Sequence, residues 1–361
     1  MSEGIPTTFE GKNIYGKEKF DRQISHEKVE EISREFKDFY GENGYIEVPP
    51  VKISSGIDPT VRFIGSHISV LKPEIIKDRI PSPGEYIVQN CIRTKNVQGL
   101  FNDEYFPLWG SCFTSLGALS RPERLDEVVK ECLVFLKSKL SINEENICIR
   151  VSSADKDLLE AATAHLGEDF IEVDTRPEAY YRHKIGIEEI IGRNFNIALK
   201  NADGTNFSDI GNIIIIEKKG RALAVETALG SSTILKQLYG LDHVNDCFPL
   251  IELGIEDRNL RRKLEDSVIV ATVLYLEGLE PRATDNKERI LRSYVRAISY
   301  FRLKSKVSLD QIHQMITDFE VKQFGSSMVA NKIINYLKTY EKSLSAGKIT
   351  TEEDRIIASV L

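Results

Sequence analysis

The run Asn212-Ile213-Ile214-Ile215-Ile216-Glu217 constrains the fold more than any other stretch of this chain. Four β-branched residues in succession lose side-chain freedom in a helix, and a run this short and apolar reads as a central strand buried on both faces. Lys218-Lys219-Gly220-Arg221 then makes a turn, and "ALAVETAL" (222–229) returns as a second strand. Gly230 ends that strand and opens the helix "SSTILKQLYG". An antiparallel sheet is therefore expected at the centre of the molecule.

The rest of the chain is read around that hairpin. Residues 27–43 carry Val29, Ile32, Phe36 and Phe39 at helical spacing, with Gly44 as a stop. The strand "YIEVPPVKI" follows, and Pro49-Pro50, which lack backbone donors, suit an edge or a terminus. After a loop containing Asp58-Pro59-Thr60, a strand over Tyr86–Ile92 and another at "SCFTSLG" (111–117) predict an antiparallel pair. A helix is expected over 122–140, and short strands at 147–151, 169–173 and 195–199. Strands joined mostly by hairpins, with helices outside, make an α+β domain rather than a doubly wound one. From about Cys247 the pattern turns helical. The sequence predicts helices in "EDRNLRRKLEDSVIVATVLYLEG" and "NKERILRSYVRAISYFRL", then near 309–319, 329–340 and 352–361, so the division expected is 1–247 and 248–361.

Composition excludes some classes. The chain has 361 residues and a formal charge of −7, which argues against a generally basic nucleic-acid binder while allowing a local basic face. The N-terminal residues contain no apolar signal core and no window approaches a membrane span, so the cytosol is the expected location and no membrane partner is expected. The five cysteines are widely spaced in apolar surroundings and read as reduced core thiols. Neither a CxxC pair nor a HExxH pattern occurs, so the sequence supports no metal site and no zinc.

Arg93 ends the apolar strand "YIVQNCI" just ahead of a long polar loop. Either it pairs with a carboxylate at the strand end or it is the cation of a cleft. The order of the surrounding pieces bears on that choice. The helix, the proline-bearing strand, "DPT", "QNCIR", the strand ending Leu116-Gly117, the asparagine-led strand and "VETALGSSTILKQLYG" together resemble the aminoacylation module of alanyl-tRNA synthetase, a class II enzyme. The resemblance runs from about Arg34 to at least Tyr300 and rests on short anchors.

It implies a class II synthetase-like antiparallel sheet flanked by helices, followed by an all-helical domain. By the same resemblance, Arg93 bridges the α-phosphate of ATP and the amino-acid carboxylate, a task suited to a planar guanidinium. Asn212 and Glu226 hold a small amino acid, Glu226 standing where the family has an aspartate for the substrate ammonium, and Gly230 keeps the third motif's helix close to the nucleotide. Arg289, Arg292 and Arg296 resemble residues that face the tRNA acceptor stem, where phosphate contacts supply affinity. ATP with Mg²⁺, a small amino acid and tRNA are the partners implied, and a homodimer is compatible with the pattern.

The chain also departs from that family. Thr233 stands where an adenine-stacking arginine is expected, Thr114 where a glutamate is, and "FPLWG" (106–110) where a basic loop reaches the terminal phosphates. His183 falls near a tryptophan that bounds the alanine pocket, which makes the pocket floor polar. ATP brings about four negative charges, normally met by several cations. Arg62, Lys72, Lys95, Arg182, Lys184 and Arg193 are the cations in segments expected to border the cleft. With no HxxxH editing site, the sequence reads as a free-standing paralogue. Three functions are open to it: a ligase, a non-activating binder of tRNA, aminoacyl-tRNA or amino acid, or an aminoacyl transfer enzyme repurposed for biosynthesis.

Overall fold

The four isoleucines lie at the centre of a nine-stranded sheet, in a computed structural model that describes residues 13–282 and 284–361. The strands are β1 (Ile46–Glu47), β2 (Glu85–Ile92), β3 (Cys112–Ser120), β4 (Ile147–Ser152), β5 (Ile171–Asp174), β6 (Arg182–Lys184), β7 (Ile190–Lys200), β8 (Phe207–Lys218) and β9 (Arg221–Gly230). They lie in the order β1-β2-β3-β9-β8-β7-β4-β5, with β6 on β7. Successive side chains of a strand point to opposite faces. Ile213 and Ile215 accordingly enter one core and Ile214 and Ile216 another, which is why the run is apolar throughout.

The helices are α1 (Ser25–Glu42), α2 (Ile68–Ile76), α3 (Leu125–Val134), α4 (Lys156–His165), α5 (Ser231–Tyr239), α6 (Arg258–Leu276), α7 (Asn286–Lys304), α8 (Leu309–Phe324), α9 (Ala330–Ser345) and α10 (Glu352–Ala358). Helices α1, α3, α4 and α5 cover one face of the sheet, where Phe36, Phe135, Phe195 and Leu235 are buried together. The other face is covered over part of its area by α2, through Leu71 and Ile75. The α+β architecture is as the sequence predicts.

Three differences from the sequence reading have physical causes. β1 keeps only two residues, because the chain leaves the sheet before Pro49 and Pro50, which could donate nothing to it. The edge pairs β1/β2 and β4/β5 are parallel, since their connections pass through α2 and α4, elements the sequence pattern did not predict. Helices α6 to α10 do not stand apart from the sheet: Ile53, Phe63, Ile92, Leu100 and Cys112 lie in the same buried cluster as Leu264, Val268 and Leu291. Asp266 of α6 reinforces that join by accepting from the Ser111 backbone N–H at 2.7 Å and from its Oγ at 2.7 Å. Burial raises the Asp266 pKa against those hydrogen bonds. No helix among the described residues is long and apolar enough to cross a membrane.

Candidate functional site

Register decides which of the singled-out residues share a surface. On β2 and β3 the pairs Cys91↔Phe113 and Gln89↔Ser115 face one way, and Arg93 follows Cys91 in the same alternation. Across the sheet, Ser115 pairs with Gly230, Gly117 with Ala228, Ala228 with Asn212, and Asn212 with Asn196. Glu226, two residues before Ala228, points the same way. His183 joins them through β6, where it pairs with Gly192 of β7. The strands therefore bring Arg93, Gly230, Glu226, Asn212 and His183 onto the partly open face.

Arg93 is exposed. Its Nε donates to Gly65 O at 2.9 Å and its guanidinium lies 4.8 Å from the centre of the Phe113 ring. No carboxylate among the described residues forms an ion pair with it. The surrounding walls lower its pKa by desolvation, opposed by Cys91 and by the charge of Glu226. Burial likewise lowers His183, against the Glu226 charge and an Asn194 hydrogen bond, while Arg93 lowers it further.

Glu226 is 3 % exposed and already has a partner that the sequence reading passed over. His67, fully buried at the start of α2, places Nε2 2.7 Å from Glu226 Oε1 and Nδ1 2.8 Å from Ser115 Oγ. The Nε2 contact lies off the straight hydrogen-bond direction and is best described as electrostatic. The ring can sit there because residue 117 is glycine: a Cβ would lie 1.9 Å from His67 Cδ2. Gly117→Ala is therefore expected to expel the ring and destabilise the protein by about 1–3 kcal/mol, the usual cost of overpacking. An unchanged urea midpoint in that variant would contradict this packing. Glu226 Oε2 makes no hydrogen bond to protein among the described residues.

An asparagine ladder lies beside this pair. Asn196 Oδ1 accepts from Asn194 Nδ2 and from Asn212 Nδ2, each at 2.6 Å, and Asn196 Nδ2 donates to Asp209 Oδ2 at 2.8 Å. With its amide nitrogen engaged, Asn212 presents Oδ1, an acceptor suited to an ammonium. Asn194 and Asn196 were legible as a period-two pair in "RNFNI", on the same face as Asn212 once the register is known.

Other expected residues lie elsewhere. Thr114 points to the opposite face, where its Oγ1 donates to Asn90 Oδ1 at 2.9 Å. It borders a separate cavity of about 520 Å³ with Val88, Asn90, Phe248 and Phe319. Strand alternation forces this, because Thr114 neighbours Phe113 and Ser115 of the candidate site. Thr233 Oγ1 is 3.0 Å from where a Cβ on Gly230 would lie, at the edge of the site. Among the cations, Lys72 is held by Asp58 at 2.5 Å, Arg182 by Asp155 at 2.8 Å, and Arg193 by Asp157 at 2.6 Å and Glu217 at 2.8 Å. Arg62, Lys95 and Lys184 are exposed. The paired set fits a triphosphate poorly, since its charge is already balanced.

The three helix arginines do not form one free surface. Arg296 is mostly buried, 2.9 Å from Asp354 Oδ1 and stacked 4.6 Å from the Tyr340 ring centre. Its charge is therefore spent inside the helical part, because α10 docks on that side of α7, and this corrects its expected place on a basic face. Arg292 is half-buried, and Arg289 is exposed and donates to Asn286 Oδ1 at 2.7 Å.

No protein-family model matches the chain, and no curated protein matches it. Among solved structures it is similar to asparaginyl-tRNA synthetase of Entamoeba histolytica bound to asparaginyl-adenylate, at 11 % identity and a TM-score of 0.38, over 63 % of this chain and 66 % of that one. It is also similar to the RNA-binding domain of threonyl-tRNA synthetase from Cryptosporidium parvum, at 12 % identity and a TM-score of 0.39, over 62 % and 72 %. A third is a pyrrolysyl-tRNA synthetase from Desulfitobacterium hafniense, at 9 % identity and a TM-score of 0.37, over 60 % and 71 %. The match spans about two thirds of each solved chain's own length. These likenesses assign no residue a role.

Proposed function

We propose that this protein binds a small amino acid on the open sheet face, in the manner of an alanyl-tRNA synthetase, for activation with ATP and transfer to tRNA. One observation carries the reading: a guanidinium without an ion-pair partner among the described residues, a carboxylate with one oxygen that bonds no described residue, and an amide oxygen share that face. An α-amino acid offers the complementary groups, its carboxylate for Arg93 and its ammonium for Glu226 Oε2 and Asn212 Oδ1. In adenylate formation Arg93 would also meet the charge that develops between the carboxylate and the α-phosphate. His183 and the asparagine ladder make the neighbouring floor polar.

A second reading is favoured by the ion pairs of Lys72, Arg182 and Arg193. With these cations occupied, the face would hold an amino acid or an aminoacyl group without activating it. Amino-acid-dependent exchange of pyrophosphate into ATP separates the two. Exchange with glycine, alanine or serine is the expected result for the ligase, and no exchange with any small amino acid removes that reading while leaving binding to be measured.

A further inference from the structure

Three side chains on this face form a line of contacts that amino-acid binding alone does not require. Ser115 Oγ, His67 Nδ1 and Nε2, and Glu226 Oε1 follow one another at 2.8 and 2.7 Å. Ser115 comes from β3, His67 from the start of α2 and Glu226 from β9, and at 4, 0 and 3 % exposed they are shielded from bulk water. With its proton on Nε2, a neutral imidazole offers its Nδ1 lone pair to the serine hydroxyl, and the Glu226 carboxylate lies 2.7 Å from Nε2 as a neighbouring charge rather than along a straight hydrogen bond. That order of hydroxyl, base and orienting carboxylate activates a serine nucleophile, here with the two ring nitrogens exchanged relative to the serine protease arrangement. Gly117 beneath the ring fixes its place.

We propose that Ser115 is an acyl acceptor activated by His67 and Glu226, and that its donors are α-aminoacyl esters. Ser115 Oγ attacks the ester carbonyl carbon while its proton passes to His67 Nδ1, and the imidazolium is stabilised by Glu226. The new Oγ–C bond forms, the C–O bond to the leaving alcohol breaks, and the alcohol oxygen takes the proton from Nδ1. Water or an amine then removes the acyl group by the reverse path. Arg93, whose Nη atoms bond no protein group among the described residues, supplies positive charge on the same face for the tetrahedral oxyanion. An α-aminoacyl donor would set its ammonium on Glu226 Oε2 and present its carbonyl carbon to Ser115 Oγ. The contact line stands without the amino-acid reading, whereas the choice of donor rests on it.

The test uses the full chain and a fluorophosphonate probe, with the adduct located by mass spectrometry. One adduct on Ser115 is expected, absent from Ser115→Ala and forming at least about tenfold more slowly in His67→Gln or, should that variant not fold, in Glu226→Gln. A folded protein that takes no adduct on Ser115, or labels equally fast in the base or carboxylate variant, overturns the proposal. The p-nitrophenyl esters of alanine and acetate are then compared. Release at least about tenfold faster from the alanyl ester is expected. Equal release by a protein that labels at Ser115 overturns the donor and counts against amino-acid binding while the relay stands.

Discussion

Arg262→Met is expected to lower the unfolding free energy by about 3–5 kcal/mol, the usual cost of breaking a buried ion-pair network. The side chain is fully buried. Its Nη1 donates to Asp246 Oδ1 at 2.6 Å and to Glu265 Oε2 at 2.9 Å, and its Nη2 to Asp242 Oδ2 at 2.9 Å and to Asp246 Oδ2 at 2.8 Å. Arg22 adds a second cation, 2.8 Å from Glu265 Oε1. Methionine keeps much of the volume but leaves three carboxylates with only Arg22 and the half-exposed Arg258 to balance them, so the cost comes from under-compensated charge rather than from a cavity. Arg258→Met is the control. It removes a half-exposed partner of the same Asp242, and exposed pairs contribute only about 0–1 kcal/mol. Equal losses from the two substitutions in thermal or urea unfolding would show that burial of the network does not set its strength.

The same network sets an acid limit. Burial alone would raise the Asp242 carboxyl, but hydrogen bonds from Arg258 and Arg262 hold it down at about 2. A depressed carboxylate contributes stability above its unfolded pKa of about 4, and that contribution is lost as the pH falls toward 2. Unfolding measured across this window should show stability falling with acid more steeply in the parent protein than in Arg262→Met, which has already lost one of the two hydrogen-bonding partners.

Arg93→Ala is expected to weaken amino-acid binding by about 30- to 150-fold, the value of a charge-assisted hydrogen bond worth about 2–3 kcal/mol, and to abolish any adenylate formation. The fold should survive. Arg93 gives the protein one hydrogen bond, to Gly65 O, and a contact with the Phe113 ring, so its removal should cost stability about 1 kcal/mol or less. Loss of affinity with an unchanged melting curve separates a binding residue from a structural one. Normal affinity in the variant would mean that the carboxylate of the ligand lies elsewhere.

The legible and illegible parts of this molecule differ in a physical way. The central strands could be read because Ile213 to Ile216 carry their own signal, whereas Arg93, Asn212 and Glu226 were singled out through short motifs that resemble a known family, and only the strand register puts them on one face. Helix α2 could not: Pro73 lies inside it, a residue read from sequence as a helix stop, and its residues are apolar on most sides, so no amphipathic period shows. His67 was hidden for a different reason. Its place depends on a glycine 50 positions later and on a carboxylate from β9, neither of which alters the local pattern around residue 67. Arg296 had the spacing of a surface arginine, but its partners Asp354 and Tyr340 belong to helices whose docking is a tertiary matter.

The most direct measurement is a calorimetric titration of the parent protein with alanine, glycine and serine, beside alanine methyl ester and propionate. The account predicts saturable binding of at least one amino acid, weakened when either its carboxylate is esterified or its ammonium is missing. Binding unaffected by both changes, or no heat from any of the ligands at millimolar concentration, would contradict the assignment of this sheet face to an amino acid.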